Sequence, residues 1–543
     1  MEASPSVRRQ LSWAGEVESV TDSDDSPIGS PRRSERSQHS LEMVKVETSM
    51  NPRAELLIEE IIPEVAKSIA EMEVTNPEIL RVTRAFAAFQ NFAAALRGGC
   101  DGDLYYKSRK SHKISTFWSH SWHGGQWKKI LTLLTFYNSF AALLGGFFVA
   151  ILMMSLFGFD LLPGLERGLW DVPFSTWCVP SGFLVATLVM LLWRSQNNIF
   201  LDRICISQQD SDLKAQAIFS LAGLLKKSEV MLILWDPTWT ERLWCLFELA
   251  AFLKSKKVAS GKQALIARPI FFGSISIAIF IFFTAVCIPL TTAPLSDLFF
   301  GQLLSIGPGV LVGLVVGYPT ILTLRNYFQN LDIMKQQLLK ISFDTSKSAC
   351  CDQGHQSPSG HPILCDRKVV KECVNIWFGS QETFEQHVRS EVLEILTLSL
   401  QERVFTMTWV LAVTSPVMWA FMDLSASYLS HPETRLWAHP SVLLLIEGLM
   451  LWLLGFPSVK DLLLMFCRVA RAKHQNLYVE ILKNLLVMFA CAFILAILFG
   501  LYVASTFAGD FRTVVWVGEL VLYALCTRLS AHGMKAVVTP FGW

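Results

Sequence analysis

The sequence predicts a mainly α-helical, polytopic membrane protein with a small α/β module on its cytosolic face. Three observations predict it. Of the 543 residues 52% are hydrophobic and 17% are charged, with a mean hydropathy of +0.39, whereas average soluble domains carry about 25% charged residues. About eight apolar runs approach or reach the roughly 17–25 residues that cross a bilayer. The stretch Asn198–Lys257 reads instead as strand, loop, helix, strand, helix. A net charge of +1 is silent on nucleic acid, but no basic, aromatic-lined groove is visible, and no nucleic-acid partner is expected.

Residues 1–50 are rich in Ser, Arg and acidic residues and poor in large apolar ones, the composition of a disordered tail. Arg32-Arg33-Ser34, Ser26-Pro27 and Ser30-Pro31 have the form of kinase sites. No charged-then-apolar leader is seen, so the first span is expected to serve as the targeting signal. Residues 51–99 are expected to form cytosolic amphipathic helices. Asn76-Pro77-Glu78 reads as a capped helix start, Gly98-Gly99 as its end, and Ile79, Val82, Phe86, Phe89, Ala93 and Leu96 as its apolar stripe.

The expected spans are Ile130–Phe157, Trp177–Trp193, Pro269–Leu290, Leu298–Leu324, Val404–Met422, Ser441–Phe456, Ile481–Ser505 and Thr513–Leu529. Loops on one side, 158–176, 291–297, 423–440 and 506–512, hold only Arg167, Arg435 and Arg512, while nearly all other Lys and Arg fall on the opposite side. The positive-inside rule then puts both termini in the cytosol. Eight of the twelve cysteines (100, 205, 245, 350, 351, 365, 373 and 467) fall in that reducing compartment and are expected as thiols. Four-residue echoes, Ile130-Leu-Thr-Leu with Ile395-Leu-Thr-Leu and Arg167-Gly-Leu-Trp170 with Thr434-Arg-Leu-Trp437, suggest a parallel duplication.

Between these spans lie the pieces of the α/β module, residues 112–129 and 195–262, split by a membrane hairpin over 130–194. Ile114–Trp118, Ile199–Ile206 and Val230–Trp235 are short apolar runs of the kind that form buried strands. Leu213–Lys227 has helical spacing. Asp236-Pro237 punctuates, and Thr238 with Glu241 offers a capping box for a helix that runs on to Lys254, Lys256 and Lys257.

Trp244-Cys-Leu-Phe-Glu248-Leu249, Ser119-His120-Ser121-Trp122 behind the first strand, and Leu201-Asp-Arg-Ile-Cys-Ile-Ser-Gln resemble the Toll/interleukin-1 receptor (TIR) domain and its heterokaryon-incompatibility relatives. The whole chain is similar to multi-pass TIR-like proteins of unicellular algae. The resemblance covers about a fifth of the chain. It implies self-association into a homo-oligomer or TIR–TIR contacts, with signalling as the role. It also implies that Glu248 holds the ribose of NAD in any member that cleaves NAD, with Ser119, His120 and Trp244 toward the nucleotide. After the last helix only Lys262–Phe272 precedes a span, so a truncated, three-stranded parallel sheet is expected, its edge covered by Asn51–Arg97 or by residues 325–403.

Residues 325–403 read as a cytosolic helical region, with Arg325–Ile341 amphipathic and Asp366–Leu400 broken at Gly379. Between them Cys350, Cys351, His355, His361 and Cys365 offer soft ligands suited to zinc, or form a flexible, palmitoylated loop. Spans 3 and 4 occupy 269–324, spans 5 to 8 occupy 404–529, and 530–543 is a cytosolic tail. Within spans 6 and 8, Glu447 and Glu519 stand at similar depth. Such carboxylates are costly in lipid, and a shared proton or a bound cation would relieve them. Signalling through the module, NAD cleavage at Glu248, and cation- or proton-coupled transport at Glu447 and Glu519 are the three functions this sequence admits.

Overall fold

In a computed structural model the central element is a strand of seven residues, Ile114–His120, and the rest of the sheet is laid out against it. The structure describes residues 52–97, 102–122, 124–165, 173–256, 264–292, 300–356, 363–401, 403–429, 440–505 and 511–538; the tail over 1–50 and His361 lie outside them. In chain order the strands are β1 (Arg81–Arg84), β2 (Arg109–Lys110), β3 (Ile114–His120), β4 (Asn198–Phe200), β5 (Ser228–Trp235) and β6 (Leu265–Pro269). They form one mixed sheet in the order β2-β1-β4-β3-β5-β6. β3 runs parallel to β5 from Ile114↔Ser228 to His120↔Leu234, with Trp118 opposite Leu232. β4 and β6 are parallel to their neighbours, and β1 and β2 close the other edge antiparallel.

β3 and β5 are nearly continuous in buried residues because helices cover both faces. Parallel neighbours cannot be joined by a tight turn and need a crossover. Between β3 and β4 that crossover is the hairpin of α1 (Gln126–Gly158) and α2 (Cys178–Leu192). Between β5 and β6 it is α3 (Leu243–Ser255), the helix of the Trp-Cys-x-x-Glu motif.

Four expectations are corrected here. The helix expected from Asn76 is a single 3-10 turn, Pro77–Ile79, followed by β1. Asn91, Phe92 and Ala93 then take φ of 54°, 54° and 57°, which no right-handed helix admits. β-branched Val82 and Thr83 instead complete the edge of β4. Ile199–Ile206 is a strand only to Phe200 and turns helical over Asp202–Cys205. Thr238 does not cap α3, since its hydroxyl bonds Ser121 Oγ at 2.8 Å and the Asp236 carboxylate. The parallel part of the sheet has four strands, not three: Leu265–Pro269 pairs with β5 before the chain enters the next helix. Both proposed covers are used. β1 lies on one side, and on the other the Ser399 hydroxyl accepts from the β6 amide of Ala267 at 2.9 Å.

Among the described residues four helices are long and apolar enough to cross a membrane: Gln126–Gly158, Phe272–Pro289, Pro440–Val469 and Leu477–Tyr502. Met407–Val413 and Ser415–Ser427, bent by 55°, would together make a fifth. α2 is apolar but has only 15 residues. The length and composition of these helices mark a membrane protein.

Close packing holds the hairpin. The buried Trp419 ring lies where a Cβ on Gly146 or Gly182 would stand, at 2.5 and 2.7 Å from its nearest atoms, the small-residue approach typical of membrane helices. At the far end of the hairpin the buried Asp423 caps α2 from another helix. Its Oδ1 accepts from Ser175 Oγ (2.6 Å) and the amides of Trp177 (3.0 Å) and Cys178 (2.9 Å), and its Oδ2 accepts from the amide of Val179 at 3.0 Å. A carboxylate there satisfies amides that the first helical turn leaves open and complements the helix dipole. Asp423→Ala is expected to cost about 3 kcal/mol or more, read as a lowered thermal midpoint in detergent. An unchanged midpoint would mean that the cap contributes nothing.

Candidate functional site

The ends of β3, β4 and β5 lie together at one end of the sheet, and α3 brings its acid to Ser119 there. Counting only the parallel strands in chain order, the sheet runs second-first-third-fourth. The chain therefore changes direction between β3 and β5, the place where doubly wound sheets bind ligands. Ser119 and His120 stand at the end of β3, Asp236 directly follows β5, and Asp202 follows β4.

Ser119 is the hub. Its hydroxyl donates to Glu248 Oε2 at 2.6 Å and accepts from Trp239 Nε1 at 3.0 Å. Glu248 remains partly accessible. Burial pushes its carboxyl up to about 8, with the neighbouring Asp202 acting in the same direction and the Ser119 hydrogen bond and Arg242 opposing. Glu248 is thus mostly protonated at neutral pH. Asp202, raised chiefly by burial, accepts from Trp122 Nε1 at 3.2 Å.

His120 is held well below its ordinary value by burial and by the charges of Lys129 and Arg242, so its ring is neutral. Its Nε2 is buried and has no hydrogen-bond partner among the described residues, and the same is true of Asp236 Oδ2. The other Asp236 oxygen accepts from the Thr238 amide at 2.8 Å. Gly124 passes so close to Oδ2 that a Cβ would collide with it. Lys129 donates to the Ser121 carbonyl, and the Cys245 thiol donates to the His120 carbonyl at 3.8 Å.

The structure thus brings together Ser119, His120 and Glu248 but not Trp244. The Trp244 indole turns away and donates to Asp366 Oδ2 at 3.2 Å; the tryptophan that meets Ser119 is Trp239. Its place one turn before the motif carries no sequence signature, and Asp236 reads locally as turn punctuation. That is why both were missed.

The other candidates lie elsewhere. Cys350, Cys351, His355 and Cys365 gather at one point, their ligand atoms all within 4.8 Å of one another. Glu447 is buried as expected, and it has partners on the chain. Arg512 Nη2 meets its Oε2 at 2.9 Å and Thr513 Oγ1 donates to Oε1 at 3.0 Å. The arginine that ends the preceding loop folds back over the carboxylate, so the charge is paired. Glu519 Oε2 is buried without a hydrogen-bond partner among the described residues.

No protein-family model, curated protein or solved structure matches the chain.

The sign of the Glu248 shift gives a pH test. Its proton is held in the folded state to about 8 and lost from the unfolded chain near 4.5. Its contribution is therefore fully present below about 4.5 and lost as pH rises through about 8. Glu248→Gln, which mimics the protonated form, is expected to match the wild type in thermal midpoint at pH 5 and to exceed it at pH 8.5. A gap that does not grow with pH would refute the assignment.

Proposed function

We propose that this chain is an integral membrane signalling or scaffold protein that acts through a TIR-like cytosolic module and recognises a nucleotide between β3 and β5. The observation that carries the reading is the pair of buried, unpartnered acceptor-capable atoms at the switch point, His120 Nε2 and Asp236 Oδ2, beside the hydrogen-bonded Ser119–Glu248 pair. Buried polar groups left without partners are costly, and sugar hydroxyls of a bound ligand would satisfy both. Lys129 and Arg242 bring positive charge suited to phosphate, since both act electrostatically on His120. The second-first-third-fourth strand order and the Trp-Cys-x-x-Glu motif on α3 support the TIR-like reading. In this reading the chain spans the bilayer about eight times with both termini cytosolic, because the lobe's two pieces need one compartment and the basic residues follow it.

Titration of NAD and of ATP into the purified chain in detergent, followed by calorimetry, tests it. Saturable binding of at least one nucleotide is expected, weakened about tenfold or more by His120→Ala, since each lost buried hydrogen bond costs about 1–3 kcal/mol. No heat from either ligand at millimolar concentration would overturn the reading.

Hydrolysis of NAD is the second reading, favoured by the approach of Glu248 to the cleft. A carboxylate there would stabilise the positive charge that develops on the ribose as nicotinamide leaves. Because only the ionised form can do so, nicotinamide release should rise with pH through about 8 and vanish in Glu248→Gln. If the purified oligomer releases no nicotinamide, hydrolysis is excluded. Transport loses its support at Glu447, whose charge Arg512 already balances.

A further inference from the structure

We propose that Cys350, Cys351, His355 and Cys365 form a structural zinc site that clamps residues 346–356 and 363–366 onto the start of α3. The ligand atoms of all four residues lie within 4.8 Å of one another. The sulfur–sulfur separations are 3.8 Å for Cys350–Cys351 and 3.9 Å for Cys351–Cys365. A disulfide would need about 2.05 Å. Two thiolates each about 2.3 Å from one tetrahedral ion stand about 3.8 Å apart. The sulfurs are thus spaced as ligands of a common ion and are not joined as a disulfide.

The fourth group completes the set. His355 is aimed by a tight turn in which Gly354 and His355 both have positive φ, 62° and 58°. The turn is held by His355 N donating to Cys350 O (2.8 Å), Gly354 N to Cys351 O (3.2 Å) and Ile363 N to His355 O (2.9 Å). A left-handed histidine costs energy that the surroundings must repay. Its Nε2 is buried with no hydrogen-bond partner among the described residues, as a metal ligand's nitrogen would be. Outer contacts are present too. Cys350 Sγ accepts from the Asp366 amide at 3.3 Å and lies 3.0 Å from the Ser348 hydroxyl, the shell that orients ligating groups.

Three sulfurs and one imidazole in a closed, four-coordinate set select zinc and leave no open position for a substrate, so the site is structural and not catalytic. Cys350 is fully buried, which removes it as an acceptor for a lipid chain.

What the ion would hold is visible in the surrounding contacts. Lys347 N donates to Glu241 O at 2.6 Å and Leu243 N to Lys347 O at 3.0 Å, so the loop bridges the entry to α3. Asp366, next to ligand Cys365, accepts from the Trp244 indole at 3.2 Å. Lys347 and Asp366, on either side of the four ligands in sequence, thus hold the first turn of the helix bearing Glu248.

Metal analysis of the full chain purified in detergent without chelator tests the site. One zinc per chain is expected, with an X-ray absorption edge fitting three sulfurs and one nitrogen. Cys351→Ser and Cys365→Ser should each lose it, whereas Cys205→Ser, a buried thiol elsewhere, should keep it. Should the serine variants fail to fold, cobalt exchanged into the wild type should give thiolate-to-metal charge-transfer bands, and chelation should lower the thermal midpoint. Absence of zinc and of those cobalt bands in wild type would overturn the proposal, as would retention of zinc when the three cysteines are replaced together.

Discussion

The parallel register between β3 and β5 is the constraint on which the other features depend. It aligns Ile114 with Ser228 and His120 with Leu234, and in doing so sets Ser119 and His120 beside the turn that carries Asp236 and Trp239. Glu248 then reaches Ser119 because α3 returns from the end of β5. A slip of one residue would turn every β3 side chain to the other face, dissolving the cleft and burying the wrong groups.

An apolar hairpin enters this arrangement as a connection. A crossover between parallel strands is ordinarily a soluble helix. Here it is an apolar hairpin whose two arms are locked by Gly146, Gly182 and Trp419, and whose far turn is capped by Asp423. The hairpin brings the chain back to the sheet, which is what β4 requires. The sheet is tied to the next span as well. Thr132 on α1 donates to the Ile270 carbonyl at 2.6 Å and accepts from the Gly273 amide at 3.0 Å, and no Cβ would fit on Gly273 against the α1 backbone. The sheet and the apolar helices are thus parts of one packed body.

What was legible in the sequence follows the strength of each local signal. Val230–Trp235 and Ile114–Trp118 are strands because short, mostly apolar runs with β-branched and aromatic residues fit a sheet covered on both faces. Ile79, Val82, Phe86 and Phe89 mimic helical spacing, yet the segment is a turn, a strand and 3-10 turns. Its apolar residues reach the core from irregular backbone, and the unpaired edge of β4 outweighs helix propensity. Leu265–Pro269 was hidden because it runs into the following span without punctuation. Long-range partners were invisible by nature: Asp423 to α2, Arg512 to Glu447, Trp244 to Asp366. The Cys/His cluster was legible as residue types but not as geometry, since a left-handed turn at His355 brings irregular spacing into register.

The most direct test of the account is a cross-link across β3 and β5. Thr116 and Val230 are register partners at partly accessible positions. Cysteines placed at both, in membranes from a chain carrying a protease site between residues 166 and 172, should form a disulfide that holds the two fragments together after cleavage. Cysteines at Thr116 and Glu229, one position out of register, should not. If the aligned pair stays open under oxidation, or both pairs close equally, the two chain pieces do not share the sheet described and the cleft built on it does not exist.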